Sequence, residues 1–192
     1  MNDLRFRLAE ATDLATLVRL RDEAAHWMLA RGITGQWQPG QLGEDHFRRV
    51  MTSGEIWIAE ADDRVAGAWE VWWEDVDAWG AQPPVAGYVH RLMVDRSNTQ
   101  PGTGRLLLRA AERRIAAAGR AFVRLDCLAG NARLNSYYQD AGYQVVGHKA
   151  GKPQPGGEPK SFTLLEKACG PAAGAQRPRP EEVDLHCRRS RR

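Results

Sequence analysis

Between Tyr88 and Leu108 the sequence reads YVHRLMVDRSNTQPGTGRLLL, an alternating apolar segment followed by a turn with glycines at 102 and 104. The chemistry this order suits is anion binding. Glycines let the backbone turn tightly and approach a bulky ligand without a Cβ in the way. The run from Arg105 to Ala118 puts Leu107, Leu108, Ala111, Ile115 and Ala118 on one helical face, so the N–H groups of Gly102 to Leu106 project from an uncompleted first turn. Such a terminus attracts phosphate through directed donors and the positive end of the helix dipole. The spacing is not a P-loop, because no Gly-Lys-Ser/Thr follows, and it lacks the third glycine of a dinucleotide fingerprint. By itself it also fits a plain tight connection.

A second cluster, Asn131 to Tyr143, reads NARLNSYYQDAGY. Asn131 suits a helix N-cap, Leu134, Tyr137, Tyr138 and Ala141 fall at helical spacing, and Gly142 stands at a C-terminal stop. With both clusters in place, the chain resembles the GCN5-related N-acetyltransferase (GNAT) family over roughly Leu4 to Lys167. In that family a strand ending near HRLMV precedes a pyrophosphate loop, usually Arg/Gln-x-x-Gly-x-Gly/Ala. Here the loop is Thr99-Gln100-Pro101-Gly102-Thr103-Gly104. The later family motif, an Asn followed seven residues on by Tyr and then by a Gly-aromatic pair, is met by Asn131, Tyr138 and Gly142-Tyr143. The resemblance implies an α/β GNAT fold, a mixed central sheet with flanking helices, in a single domain over residues 1–167. It further implies acetyl-CoA as co-substrate, no metal, and transfer of acetyl to a primary amine of a small molecule or an exposed protein amine by direct attack in a ternary complex.

Three physical tasks follow from that resemblance. The pyrophosphate needs neutralising, for which the backbone around Gln100, Gly102, Thr103, Gly104 and Arg105 is suited. Pro101 cannot donate an N–H, and Thr99 replaces the family's usual Arg or Gln, so some contacts are lost while the glycine geometry stays. The pantetheine amides can bind as an added strand edge along Leu92, Met93 and Val94, with an N–H near Met93 aimed at the developing oxyanion. Asn131 and Tyr138 complete the expected acetyl-CoA set.

Tyr138 matches the family tyrosine expected to serve the leaving thiolate. Full proton transfer from a phenol of pKa about 10 to a thiolate of about 8.5 is uphill by roughly 2 kcal/mol, so a hydrogen bond is the easier service. The alternative is that Tyr138 only packs against the sheet, as Tyr137 is expected to do. For the base, a lysine-like acceptor needs about 4.6 kcal/mol to free its lone pair at pH 7. His90 matches a position where some members place a histidine for this purpose; Glu70 and Glu74 could act through water, and a purely structural hydrogen bond is the other reading of His90.

The elements that must position these groups follow from periodicity. Leu4–Leu8 alternates as a first strand, and Thr12 is expected to cap a helix that runs through Leu29 and stops at Gly32. A short helix at Glu44–Met51 precedes strands at Ile56–Glu60 and Val65–Trp73, then a loop and a strand at Val85–Val94. After the 105–118 helix come a strand at Phe122–Leu128, the short helix at 132–141 and a strand at Tyr143–His148. A Pro- and Gly-rich loop is expected over Gly151–Pro159, then a last strand at Ser161–Glu166. Of seven tryptophans, Trp69 and Trp73 share one strand face and Trp72 the other. Trp27, Trp37 and Trp79 fall where an aromatic wall could favour an apolar or cationic acceptor, with core filling the expected role of most of the tryptophans.

Composition narrows the classes. The 192-residue chain suits one domain. Cys127, Cys169 and Cys187 are odd in number and lack metal-ligand spacing, which indicates neither disulfides nor zinc. The net charge of +3 sits in the segment from Pro171 onward, where six arginines face three acidic residues. Residues 168–192 are therefore expected to be a basic, disordered tail, and a neutral domain argues against nucleic acid. With no apolar run of membrane length and no signal peptide, a cytoplasmic location without membrane contact is expected. A homodimer stays open. The competing function is a non-catalytic acyl-CoA-binding or regulatory module on the same fold.

Overall fold

A seven-stranded mixed sheet organises the chain in the order β1-β2-β3-β4-β5-β7-β6; the computed structural model describes residues 4–97, 99–154 and 157–170. The strands are β1 (Arg5–Leu8), β2 (Glu55–Ala61), β3 (Arg64–Trp72), β4 (Ala86–Val94), β5 (Phe122–Leu128), β6 (Gln144–Gln154) and β7 (Gly157–Ala168). The first four pair antiparallel. β2 turns into β3 through Asp62 and Asp63, both at positive φ, the backbone that matches the twist of a tight hairpin. β4 and β5 are parallel, which demands a crossover; helix α4 (Thr103–Ala117) supplies it.

Each face of the sheet has its own core. Helices α1 (Leu14–Leu29) and α2 (Glu44–Ser53) bury Leu14, Leu17, Leu20, Phe47 and Val50 with Ile56, Ile58, Ala68 and Met93. On the other face α4 buries Leu107, Leu108, Ala111 and Ile115 with Ala59, Trp69, Val71, Val123 and Leu125. Alternation along the strands assigns these sets. Gly67 permits the close fit of α4: a Cβ there would strike the Met93 carbonyl and lie 2.7 Å from Leu107. As expected, Trp69 and Trp73 join the α4-side core and Trp72 the opposite one.

Four expectations change. Thr12 is not the cap of α1. A 3-10 turn, Ala11–Asp13, precedes the helix, and the Asp13 carboxylate accepts from the Glu10 N–H at 2.8 Å while pairing with Arg7. The loop after β3 contains one helical turn, α3 (Val76–Trp79), whose cap Asp75 accepts from the Ala78 N–H at 3.1 Å. The loop expected over Gly151–Pro159 is mostly an extension of the β6–β7 hairpin, with register shifts at Val145/Gly147, Lys149/Lys152 and Lys152/Gln154. Prolines and glycines are tolerated there because β6 is an edge strand and bulges absorb them. Finally, β7 continues past the expected strand end at Glu166 to Ala168, and the Cys169 N–H bonds the Ala121 carbonyl. The arginine-rich segment and Cys187 lie outside the described residues.

Candidate active site

Strands β4 and β5 pair at three positions only, Ala86 with Phe122, Gly87 with Val123 and Tyr88 with Arg124. Past these, β5 continues on β7 and β4 on β3, so the two parallel strands part and an opening forms between them. At the same level β4 bulges. Its register with β3 shifts between Ala68 and Glu70, and Arg91 adopts φ +45°, a left-handed conformation that costs a non-glycine residue about 1–2 kcal/mol. The bulge has a clear consequence. It lets consecutive residues His90 and Arg91 both approach Glu70 on the α1–α2 side, after which Met93 is fully buried on that side while Leu92 and Val94 pack toward α4.

On the α4 side the site is made by backbone. Gly102 caps α4 at φ +97°; a Cβ at Gly104 would sit 3.3 Å from the Tyr137 hydroxyl, 3.6 Å from Val94 and 3.9 Å from Leu92. The first turn of α4 thus meets β4 and helix α5 (Ala132–Gln139) at a glycine. Thr103 Oγ1 donates to the Gln100 carbonyl at 2.8 Å. Asp95, 1% exposed, accepts from the Ser97 N–H and Oγ and from Arg19, and its carbonyl accepts from Thr99 Oγ1 at 2.6 Å. This acidic clamp holds the connection in shape. The Arg105 guanidinium lies 4.4 Å from the Tyr137 ring centroid.

Helix α5 is capped as expected: Asn131 Oδ1 accepts from the Leu134 N–H at 3.0 Å. Its Nδ2 donates to Gln36 in the α1–α2 connection, also at 3.0 Å, so the Asn131 amide is engaged at both ends within the protein. Tyr138 packs edge-on to Tyr137 and Tyr143 at 5.3 and 5.9 Å. Burial, with Cys127, Tyr137 and Asp126 nearby, pushes its pKa up. Its hydroxyl is therefore a proton-bearing donor at neutral pH. Tyr137 packs against the α4-side core, as expected, and also borders Gly104 and Arg105.

Across the opening, side chains make the site. Glu70 is completely buried and accepts from Arg91 at 2.8 Å and from Trp72 Nε1 at 2.9 Å, with His46 Nε2 also at 2.9 Å. Burial would raise its pKa, but Arg91, His46 and His90 outweigh that and hold it at about 2. A carboxylate so engaged is a poor proton acceptor. Glu74 is solvent-exposed. The His90 ring lies 4.1 Å from Trp72, and its Nε2 stands 3.1 Å from Asp75 Oδ2, with both side chains at least nine-tenths buried. The pair is close but out of line for a hydrogen bond, and neither atom has another such partner. Asp126 on β5 joins them: ligand atoms of Asp75, His90 and Asp126 lie within 4.8 Å of one another. Lys152 from β6 places its ammonium 3.0 Å from Asp126 and 3.8 Å from Asp75.

The expected aromatic wall is otherwise occupied. Arg21 covers Trp37, Arg31 and Arg96 cover Trp27, and Arg124 covers Trp79, all within 4.7 Å. Trp72 is the ring that borders His90. Sequence reading missed Asp75, Asp126 and Lys152. Only Asp126 carried a signal, an acid inside the apolar strand FVRLDCL; Lys152 was hidden in the expected loop.

A parted pair of parallel strands, a bulged β4 and a glycine-opened crossover helix define an acetyltransferase fold of the GNAT type. The GNAT acetyltransferase domain model matches residues 52–145, and that match together with the structural neighbours supports membership of the family. It is 27% identical over 151 residues to the uncharacterized N-acetyltransferase YesJ of Bacillus subtilis, covering 72% of this chain and 80% of YesJ. Among solved structures it is similar to a GNAT-family acetyltransferase from Listeria monocytogenes, with 26% identity, TM-score 0.69, and 86% and 94% of the two chains covered. The yncA structure from Salmonella typhimurium, which holds its cofactor acetyl-CoA, shares the fold at 15% identity and TM-score 0.62, over 91% of this chain and 99% of that one. No helix among the described residues is long and apolar enough to cross a membrane.

Proposed function

We propose that this chain is an acetyl-CoA-dependent N-acetyltransferase that passes the acetyl group to a primary amine, of a small molecule or exposed on a protein, by direct attack in a ternary complex. The observation that carries this reading is the β4–β5 opening, with a glycine-built helix start on one side and a buried histidine-carboxylate pair on the other. Acetyl-CoA supplies an activated thioester when bound. The backbone N–H groups of Gln100, Gly102 and Gly104 face its pyrophosphate, while those of Thr103 and Arg105 are turned onto the Gln100 and Gly102 carbonyls and shape the loop. The free edge along Leu92, Met93 and Val94 takes the pantetheine amides, and an N–H near Met93 steadies the carbonyl oxygen. Asn131 contributes by fixing the turn that presents α5.

Tyr138 donates to the sulfur as charge forms there. Its raised pKa favours hydrogen bonding over outright transfer. His90 receives the proton of the incoming amine, and Asp75 Oδ2 stands 3.1 Å from its Nε2. No metal takes part in this scheme. The discriminating experiment measures thiol release from acetyl-CoA against a panel of amines. Acceptor-dependent release is expected; binding of acetyl-CoA with no release for any amine would reassign the chain as an acyl-CoA-binding module.

A further inference from the structure

The cation between Asp75 and Asp126 belongs to the protein. The chain holds four lysines, at 149, 152, 160 and 167, and Lys167 is bound by Glu112 beside α4 at 2.9 Å. Lys152 instead reaches from the β6–β7 hairpin into the site. Its side chain is 15% exposed, its ammonium lies 3.0 Å from Asp126 and 3.8 Å from Asp75, and Asp75 is 3.1 Å from His90. Asp126 also acts electrostatically on Tyr138. Thus one primary amine of the chain sits between two carboxylates, one of which stands 3.1 Å from the histidine. Residue type matters here. An arginine would hold the two carboxylates as well but cannot lose its proton, whereas a lysine can become a nucleophile.

We infer that Lys152 is an acceptor in its own right and that the protein acetylates itself at Lys152 Nζ. This rests on the acetyltransferase reading above. The neutral amine attacks the acetyl carbonyl carbon; an N–C bond forms and the C–S bond breaks. Of the two protons the ammonium gives up, one ends on the departing sulfur and one leaves to solvent through His90. The products are N-acetyl-Lys152 and free CoA thiol. The ion pairs to Asp126 and Asp75 have to open for the step, but a tethered nucleophile enjoys an effective concentration that reaches about 10⁵ M or more when well oriented. Acetylation removes the charge that neutralises Asp75 and Asp126, leaving a buried acidic pair open to a cation from solution. Self-modification thereby converts the site from internally paired to receptive for a cationic amine.

The test uses the full chain with acetyl-CoA and no added amine, followed over time by peptide mass mapping. The expected result is one acetyl group per chain, on Lys152, at a first-order rate independent of protein concentration and slowed about tenfold or more by Tyr138→Phe. Lys152→Arg should abolish that label while keeping the cation between the carboxylates. Labelling spread equally over the four lysines, or a Lys152 label indifferent to Tyr138→Phe, would overturn the inference. So would an unmodified Lys152 in a protein that releases thiol with an added amine, which leaves the transferase reading intact. If neither Lys152 nor any added amine is acetylated although acetyl-CoA binds, the transferase reading itself fails and self-acetylation with it.

Discussion

At the start of α4 the site takes its form from backbone: Gly102 at φ +97° and Gly104 against Tyr137, with the Thr103, Arg105 and Leu106 N–H groups closing the first turn onto Gln100 and Gly102. Across the β4–β5 opening the form comes from side chains drawn from separate elements, with His46 from α2, Glu70 from β3, Asp75 from the β3–α3 turn, His90 and Arg91 from β4, Asp126 from β5 and Lys152 from β6. The first arrangement depends on local conformation and tolerates many side chains. The second depends on charges buried together, so removing one member leaves another without compensation.

The largest effect should therefore come from the side-chain half. Arg91→Ala strips the strongest favourable charge from the fully buried Glu70, and unfolding titrations should register a loss of about 3–5 kcal/mol. A loss below about 1 kcal/mol would mean that His46 and Trp72 suffice and that the cage is less interdependent than drawn. Its pH dependence has a fixed sign. The Glu70 pKa falls from 4.5 to about 2 in the folded protein, so its stabilisation is present above about pH 4.5 and is lost as pH falls toward 2. Acid titration of Glu70→Gln should show a shallower decline in that window than wild type.

Next in size is Tyr138→Phe. With ring packing retained and only the donor deleted, kcat should fall about 10²-fold, or roughly 3 kcal/mol, at nearly constant acetyl-CoA affinity, because the hydrogen bond matters chiefly once charge reaches the sulfur. Turnover within twofold of wild type in a folded variant would leave Tyr138 a packing residue. Binding itself should stabilise the fold: acetyl-CoA at 100 times its Kd should add about 2.7 kcal/mol, seen as a raised Tm. An unmoved Tm would remove the nucleotide role from the α4 half. The smallest change is Gly102→Ala. No atom lies within 4 Å of a Cβ there, so the cost is conformational, about 1–2 kcal/mol of stability from the left-handed backbone. Gly104→Ala, with the Tyr137 hydroxyl 3.3 Å away, should instead spare the backbone and weaken acetyl-CoA binding, and equal behaviour of the two variants would merge roles separated here.

Most strands and the four longer helices were legible in the sequence because their apolar periods are regular, as in Leu107, Leu108, Ala111 and Ile115 of α4. Local backbone chemistry was legible too. Gly102 and Gly104 announced the helix start, Asn131 announced its cap, and the order of these with Tyr138 pointed to the family. The 151–159 segment misled because proline and glycine signal a loop, whereas an edge strand accommodates them through bulges. Which carboxylates would serve was beyond the sequence. Glu70 and Glu74 read as equivalent bases until packing sealed one under Arg91, His46 and Trp72 and left the other in solvent. Asp75, Asp126 and Lys152 lie 51 and 26 residues apart along the chain and meet only because β5 and the β6–β7 hairpin bring them to one side of the sheet. Local sequence sets dihedral preferences and periods, which fix elements and their ends; the charge environment of a buried group is set by neighbours distant in sequence, and only the tertiary fold chooses them.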